Sequence, residues 1–301
     1  MIDIVIVNWN SGALLAKCVN SVLAECNKSI VSSILIIDNH SSDDSLLLLP
    51  VSEKIHLIRN KGNFGFSKAC NQGFQKVTAP YVLLLNPDTI LFENTISDCL
   101  QYVTAHPNID ILGCQLLDEH GNISTSCARF PTPLRFFYSS LGLSYLFPRI
   151  FTPALLMTDW NHAESRPVDQ VMGAFMFMSV SIFNKIGFFD ERFFVYYEEL
   201  DFSYRLRKAN GISYFNASIK AIHYGMGTTE SVKGFRLFLN LSSRLKYARK
   251  HFSFWGYWLV CISVFPLEWI TRACLLCVKG RFAELRDLMK GYRLLFSNKK
   301  K

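Results

Sequence analysis

Three observations predict an α/β fold with a largely parallel central sheet. Short β-branched runs alternate with helical stretches over the first hundred residues. Each run is apolar and bounded by turn residues, as buried strands are, and strand–helix alternation implies crossover connections. The chain has 301 residues, 50% of them hydrophobic, enough to bury a large core and to exclude intrinsic disorder.

Ile4–Val7 is the first expected strand, residues 11–24 the first helix, and Ile34–Ile37 the second strand. Ile55–Ile58 is the third strand, residues 66–77 the second helix, and Tyr81–Leu85 the fourth strand. Further on, Val171–Val180 reads as one buried strand and Phe188–Phe194 as an aromatic loop. Tyr196-Tyr197-Glu198-Glu199-Leu200-Asp201 opens a helix that runs to about Ala209 and stops at Gly211. Ile212–Phe215 is a short strand with His223 beyond it.

In open parallel sheets, ligands collect where loops leave the carboxyl ends of strands. Those loops carry Asn8-Trp9-Asn10, then Asp38 to Asp44, then Arg59 to Gly65, then Asn86-Pro87-Asp88. Any one of them is ordinary turn chemistry. Four in succession on one edge mark a candidate site. Glu198, Glu199 and Asp201 complement a helix N-terminus electrostatically, yet capping needs one or two acids and does not call for the surrounding aromatics.

The ordered set IVIVNWNSG, ILIIDNHSSDDS, NKGNFGFSKACNQG, YVLLLNPDT, GAFMFMS and GFFDERFFVYYEELDFSYRLRKANG, followed by His223, resembles the family 2 glycosyltransferases of the GT-A fold. It is most similar to the bacterial rhamnosyltransferase branch, which builds O-antigen and other cell-surface polysaccharides. The resemblance covers residues 2 to about 230, which makes 1–230 the expected catalytic domain and 231–301 a separate tail.

The resemblance implies roles residue by residue. Asp38 matches the carboxylate that hydrogen-bonds the nucleotide's pyrimidine ring, flanked by Asn8 and Asn10. Asn63, Gly65 and Asn71 match the loop and helix start that pack against the nucleotide, with Lys68 a candidate phosphate contact. Asp88 matches the last acid of the family's DxD motif, which binds the donor diphosphate through a divalent cation, Mg²⁺ or Mn²⁺; His223 matches the histidine that completes the metal shell. The motif reads Asn86-Pro87-Asp88, with a single carboxylate. Glu199 takes the position of the general base, usually Asp, which leaves the choice among Glu198, Glu199 and Asp201 open; Glu198 and Asp201 are expected as acceptor or orienting residues, Asp201 orienting the helix or binding the acceptor. The implied reaction is inverting transfer of a sugar, best matched by L-rhamnose from dTDP-L-rhamnose, to a polyprenyl-diphosphate-linked glycan. A UDP-hexose donor and a catalytically inactive nucleotide-sugar-binding scaffold are the alternatives. A nucleotidyltransferase would want a glycine-rich phosphate loop and a basic residue after the first strand, where Asn-Trp-Asn-Ser-Gly stands.

The net charge of +8 divides unevenly. Ser231–Lys301 holds 15 Lys+Arg against 3 Asp+Glu, whereas the remainder holds 17 against 21. An acidic body argues against nucleic acid as a partner. In the tail, residues 252–267 are uncharged and rich in Trp and Phe, then Pro266, Glu268 and Arg272 interrupt before Ala273–Val278. Sixteen apolar residues fall short of the roughly 20 a spanning helix needs. With Arg244, Lys246, Arg249 and Lys250 before it and Lys279 and Arg281 after it, the segment fits the cytoplasmic surface of an anionic inner membrane, peripherally or monotopically. A buried hairpin, a re-entrant segment and a short span are the rival dispositions. The N-terminal run lacks a basic leader region, so a cytosolic body is expected. Nine cysteines without framework spacing read as buried, reduced thiols.

Overall fold

Residues 2–8 bury all seven of their side chains, including two polar ones. Asp3 is tolerated there because its carboxylate accepts hydrogen bonds from Ser33 Oγ (2.7 Å), Thr78 N (2.7 Å) and Ala79 N (3.0 Å). This strand seeds a sheet whose description rests on a computed structural model covering residues 1–26, 30–225 and 233–297.

In chain order the elements begin with β1 (Ile2–Asn8), α1 (Ala13–Cys26), β2 (Val31–Asp38), β3 (Ile55–Arg59), α2 (Phe66–Phe74) and β4 (Tyr81–Leu85). Then come β5 (Thr89–Leu91), α3 (Thr95–Ala105), β6 (Ile111–Leu117), β7 (Cys127–Ala128), α4 (Pro133–Ser140) and α5 (Leu143–Leu146). They are followed by β8 (Arg166–Val168), β9 (Gln170–Val171), β10 (Phe175–Ser179), α6 (Ser181–Ile186), α7 (Glu198–Lys208) and β11 (Ser213–His223). The chain closes with α8 (Lys233–His251), α9 (Phe254–Ile262), α10 (Trp269–Val278) and α11 (Phe282–Ser297).

Two compact units emerge: residues 1–128, 160–191 and 198–228, and residues 129–159, 192–197 and 229–301. The second therefore takes in two internal segments besides the C-terminal one. The expected boundary at 230/231 falls outside the described residues.

The first unit is the α/β body, with strand order β3-β2-β1-β4-β10-β6-β11-β5 and β8 attached to β11. β3, β2, β1 and β4 run parallel; β10 enters antiparallel between β4 and β6. Ile4, Ile6, Ile36, Leu83 and Leu85 pack into one core with Phe175 and Phe177. Each such side chain removed from water contributes roughly 1.5–3 kcal/mol.

Four sequence expectations need correction. α2 ends at Phe74 rather than 77, because Asp3 captures the backbone N–H groups of Thr78 and Ala79. Residues 171–180 form two strands, not one: Met172 N turns to Ser126 O while Ala174 O accepts from Asn86 N, which breaks the run at Gly173. α7 opens at Glu198, since Tyr196 and Tyr197 both hold positive φ (67° and 71°). His223 lies inside β11, which continues to it past a register shift between Asn216 and Lys220.

The second unit is helical, and a buried ion cluster organises it. Arg244 on α8 binds Glu268, and Glu268 also binds Arg272 through Oε1 (2.7 Å); the Arg244 guanidinium sits 5.1 Å from the Phe136 ring of α4. α9 and α10 join through a π-helical stretch at Ser263–Glu268 that absorbs Pro266. The apolar run is thus one helical passage, Phe254–Val278, 25 residues long with mean hydropathy 1.7 in its most apolar stretch. The expected interruption at Pro266 does not occur. Eight of the nine cysteines are described; all are free thiols, six buried, but Cys274 and Cys277 are exposed rather than buried.

Candidate active site

The parallel register places Asn8 opposite Asp38 and Asp38 opposite Arg59, so the first three loops leave the sheet side by side. The ladder continues past the strand ends: Asn39 N donates to Asn8 O (2.8 Å) and Asn60 N to Asp38 O (2.9 Å). At the centre, Asn8 Nδ2 donates to Asp38 Oδ1 (2.9 Å), Ser41 Oγ (3.0 Å) and Ser45 Oγ (2.9 Å). Asp38 Oδ2 accepts from Ser41 N (3.1 Å). Asn8 is fully buried and Asp38 is 3% exposed, so both are buried and Asn8 ties Asp38 to the loop that follows it. Asn10, at φ 52°, accepts from Ser42 N (2.7 Å) and pins the same loop from its open side.

The third loop is built from side chain to backbone. Asn63 Oδ1 accepts from Gly65 N (2.9 Å), and Gly65 holds φ 87°, a conformation that favours glycine. Lys68 lies 5.0 Å from the Phe64 ring centre and is exposed. Asn71 is 4% exposed and turned inward: Nδ2 donates to Phe189 O (2.9 Å) and Glu191 Oε1 (3.1 Å), and Oδ1 accepts from Phe189 N (3.0 Å). Its observed work is to anchor the 188–191 loop.

Asp88 and His223 meet across the strand pairing of Thr89 with His223, Oδ1 to Nε2 at 3.4 Å. Tyr224 N donates to Asp88 O (3.1 Å) and fixes the approach. A carboxylate beside an imidazole is a donor set that divalent ions of the Mg²⁺–Mn²⁺ kind accept, with phosphate oxygens and water supplying the other positions. Among the described residues no group of three or more His, Cys, Asp or Glu side chains could hold a metal alone. The pair fits a cation that arrives with a diphosphate.

The acids of α7 divide by environment. Asp201 is fully buried and bound to Arg205 Nε through Oδ2 (2.8 Å), and Arg205 also donates to Ile186 O and to Phe188 O. That carboxylate is committed to structure. Glu199 keeps part of its surface exposed, yet its Oε2 is buried without a hydrogen-bond partner. Burial pushes the Glu199 carboxyl above the ordinary glutamate range, with hydrogen bonds from its backbone and from Glu198 holding back part of the rise. Glu198, 2% exposed, is the other carboxyl of that contact. Gly173 lies beside Glu199: a Cβ at that position would make ordinary contact, 3.6 Å from Glu199 Oε1.

Solved structures share this architecture. A Pyrobaculum calidifontis mannosyltransferase, solved with GDP-mannose and Mn²⁺, superposes with TM-score 0.56 over 99% of this chain and 87% of its own, at 10% identity. The structure of GalNAc-T7 with UDP, GalNAc and Mn²⁺ superposes with TM-score 0.54 over 82% of this chain and 50% of its own, at 15% identity. These likenesses establish a GT-A fold. The family model for glycosyl transferase family 2 matches residues 3–157. The chain belongs to glycosyl transferase family 2.

Among its relatives in that family, a hexosyltransferase of low-salt glycan biosynthesis from Haloferax volcanii is 30% identical over 69% of this chain and 62% of its own length. An N-acetylglucosaminyl-diphospho-decaprenol L-rhamnosyltransferase from Mycobacterium tuberculosis is 23% identical over 91% of this chain and 90% of its own. The rhamnosyltransferase WbbL of Escherichia coli is 27% identical over 72% of this chain and 82% of its own.

Several residues of this family 2 glycosyltransferase carry more of the site than the sequence reading gave them. Asn39 is 2% exposed, donates to Gly65 O (3.0 Å) and accepts from Asn60 Nδ2 (2.9 Å); Asn60 and Gln72 exchange a second pair of bonds. Asp43 takes Gly12 N (2.7 Å) and Ser45 Oγ (2.6 Å). Their signal was present as polar residues packed into short loops. Nothing local identifies their partners, which lie up to 31 residues away.

Proposed function

We propose that this glycosyltransferase moves L-rhamnose from dTDP-L-rhamnose to a polyprenyl-diphosphate-linked saccharide at the cytosolic membrane face, with inversion at the anomeric carbon. The observation that carries the reading is the partly exposed Glu199 carboxyl at the start of α7, its pKa raised by burial and its Oε2 unpartnered. A base of that kind suits a site opposite a leaving group.

Asp38, held by Asn8 and Ser41, offers its remaining lone pairs to the donor's base ring, and the Asn63–Gly65 turn lets backbone approach the nucleotide closely. Asp88 and His223 would hold a Mg²⁺ or Mn²⁺ ion, which supplies Lewis-acid neutralisation of the departing diphosphate. The Glu199 carboxylate takes the proton of the acceptor hydroxyl. The freed oxygen pair forms the new bond to the anomeric carbon, the old carbon–oxygen bond breaks, and its electron pair leaves with the nucleoside diphosphate. The hydrogen bond with Glu198 offsets part of the rise that burial imposes on the base.

The names of the mycobacterial and E. coli relatives support rhamnose, and the decaprenol diphosphate of the former supports a lipid-linked acceptor. A donor screen for nucleotide release across dTDP-, UDP- and GDP-sugars tests the reading. Release from dTDP-rhamnose, dependent on a divalent cation and on a polyprenyl-linked acceptor, is the expected result. Preference for a UDP-hexose overturns the donor assignment, and binding of nucleotide-sugars without turnover makes the chain a scaffold.

A further inference from the structure

We infer that the second unit rests on an anionic lipid surface through a two-part apolar face, formed by Leu143–Ile150 together with the outer side of Phe254–Val278, and that the latter does not cross the bilayer. This deepens the membrane attachment proposed above and draws on that reading only for the identity of the acceptor.

Length alone would permit crossing. Twenty-five helical residues reach about 37 Å at 1.5 Å per residue, beyond the roughly 30 Å of a hydrocarbon core. What forbids it is the inner side of the passage. Glu268 lies in the second half of the run with its side chain 7% exposed, clamped by Arg244 from α8 and by Arg272. Tyr292 of α11 donates to Val264 O (2.8 Å), and Val260, Cys261 and Val264 are buried. The passage is fastened along one side to helices bearing Arg249, Lys250, Arg286, Lys290 and Arg293. Carrying those charges into hydrocarbon would cost several kcal/mol each, so the passage stays where its partners remain hydrated.

The outer side is a different surface. Phe254, Trp255, Trp258, Ile262, Trp269, Ile270, Leu275 and Val278 are exposed, Trp255 at 79% and Val278 at 85%. Only 28% of the apolar window is buried within the protein. Aromatic residues exposed beside aliphatic ones are what the headgroup boundary accommodates.

The second part comes from a segment without readable signature. α4 packs on α9, where Gly256 meets Pro133 and Phe136 lies 6.3 Å from Phe252. At Gly142, with φ 75°, the chain turns beside Thr271 of α10, 3.8 Å from a Cβ built there. That turn delivers α5 next to the passage, with Tyr145 (81% exposed), Leu146, Phe147 and Ile150 (74%) facing out. Arg149 and Lys279, both exposed, border the apolar residues. Cations at that level gain about 1 kcal/mol apiece from anionic headgroups, which selects a lipid surface over an uncharged partner.

The test uses the full-length chain, with vesicles of phosphatidylcholine alone or mixed with phosphatidylglycerol. Flotation with the anionic vesicles, weakened by salt, is expected, together with release by alkaline carbonate. Cys274 and Cys277 provide native reporters: both should react with a water-soluble maleimide in solution and be protected on the vesicles. The double variant Leu146→Glu/Ile150→Glu alters exposed positions and should keep the wild-type melting curve while losing at least about tenfold in vesicle affinity. Wild-type affinity in that variant removes the second part. Resistance to carbonate means a span and overturns the inference, as does a stable dimer that protects both cysteines without lipid. Vesicle binding without sugar transfer leaves this inference standing and removes the proposed function; transfer without vesicle binding does the reverse.

Discussion

Asn71 satisfies both backbone polar groups of Phe189, 118 residues away: its Nδ2 donates to the carbonyl (2.9 Å) and its Oδ1 accepts from the N–H (3.0 Å). One amide thereby ties the helix after β3 to the loop that precedes the acidic helix. Replacing Asn71 with Ala leaves two buried backbone groups unpaired, at about 1–3 kcal/mol each. We expect a clear drop in Tm and impaired turnover; an unchanged melting curve would refute the anchoring role.

Glu199→Gln should remove turnover by roughly 10²–10⁴-fold, the usual contribution of a general base. It should not lower stability at neutral pH. A carboxyl whose folded pKa is raised costs the native state stability once pH exceeds the unfolded value, so deleting the charge relieves that cost. Loss of activity together with a lower Tm would point to a structural role instead.

The pH profile follows from the same direction. Glu199 must be ionised to accept a proton, so activity should fall on the acid side at a pH above that of an ordinary glutamate. The Glu199→Asp variant, shorter by one methylene, is expected to retain an acid limb but lose rate. An acid limb at the usual carboxylate range would remove Glu199 as the base.

Glu268→Ala strands the Arg244 guanidinium, at a cost of roughly 3–5 kcal/mol. A double replacement of Arg244 and Glu268 by Met should be milder than Glu268→Ala alone. Burial opposes ionisation of Glu268, but Arg244 and then Arg272 outweigh it and hold the carboxyl below its ordinary range. The stabilisation is therefore fully present above the ordinary glutamate range and lost as pH falls through the depressed value. Urea denaturation of the wild type and both variants across acid pH measures this, and only the wild type should lose that stabilisation as pH falls.

His223→Ala should raise the divalent-cation concentration needed for half-maximal turnover by at least the roughly 10–100-fold that losing an outer-shell partner costs. Asp88→Asn should do more, since it removes the charge as well. Titrating Mn²⁺ against initial rate separates the two. A His223→Ala curve superimposable on wild type would take the imidazole out of the site.

Much of this was legible in the sequence. β1 to β4 could be read because each is short, apolar and closed by turn residues, and the register then forces their loops together. The break at Gly173 was not legible, since an apolar run carries no mark of where its backbone leaves the ladder. Nor was the length of β11, where a bulge around Asn216 hides the continuation. Pro266 reads as a breaker, and the π-helical stretch that absorbs it has no composition of its own. Asn71 could be singled out as a site residue, but its partner depends on pairing across 118 positions, which no local pattern encodes.

The insertion of β10 between β4 and β6 has a consequence for biogenesis. β6 pairs with β10 and β11, both of which follow it in the chain. A nascent chain that has emerged only as far as β6 holds that strand unpaired and leaves β4 with one open, apolar edge. Such edges invite association with neighbouring chains until the late strand arrives. Truncations ending before residue 175 should therefore aggregate rather than yield a nucleotide-binding half-enzyme, even though Asn8, Asp38, Asn63, Gly65 and Asp88 are all present in them.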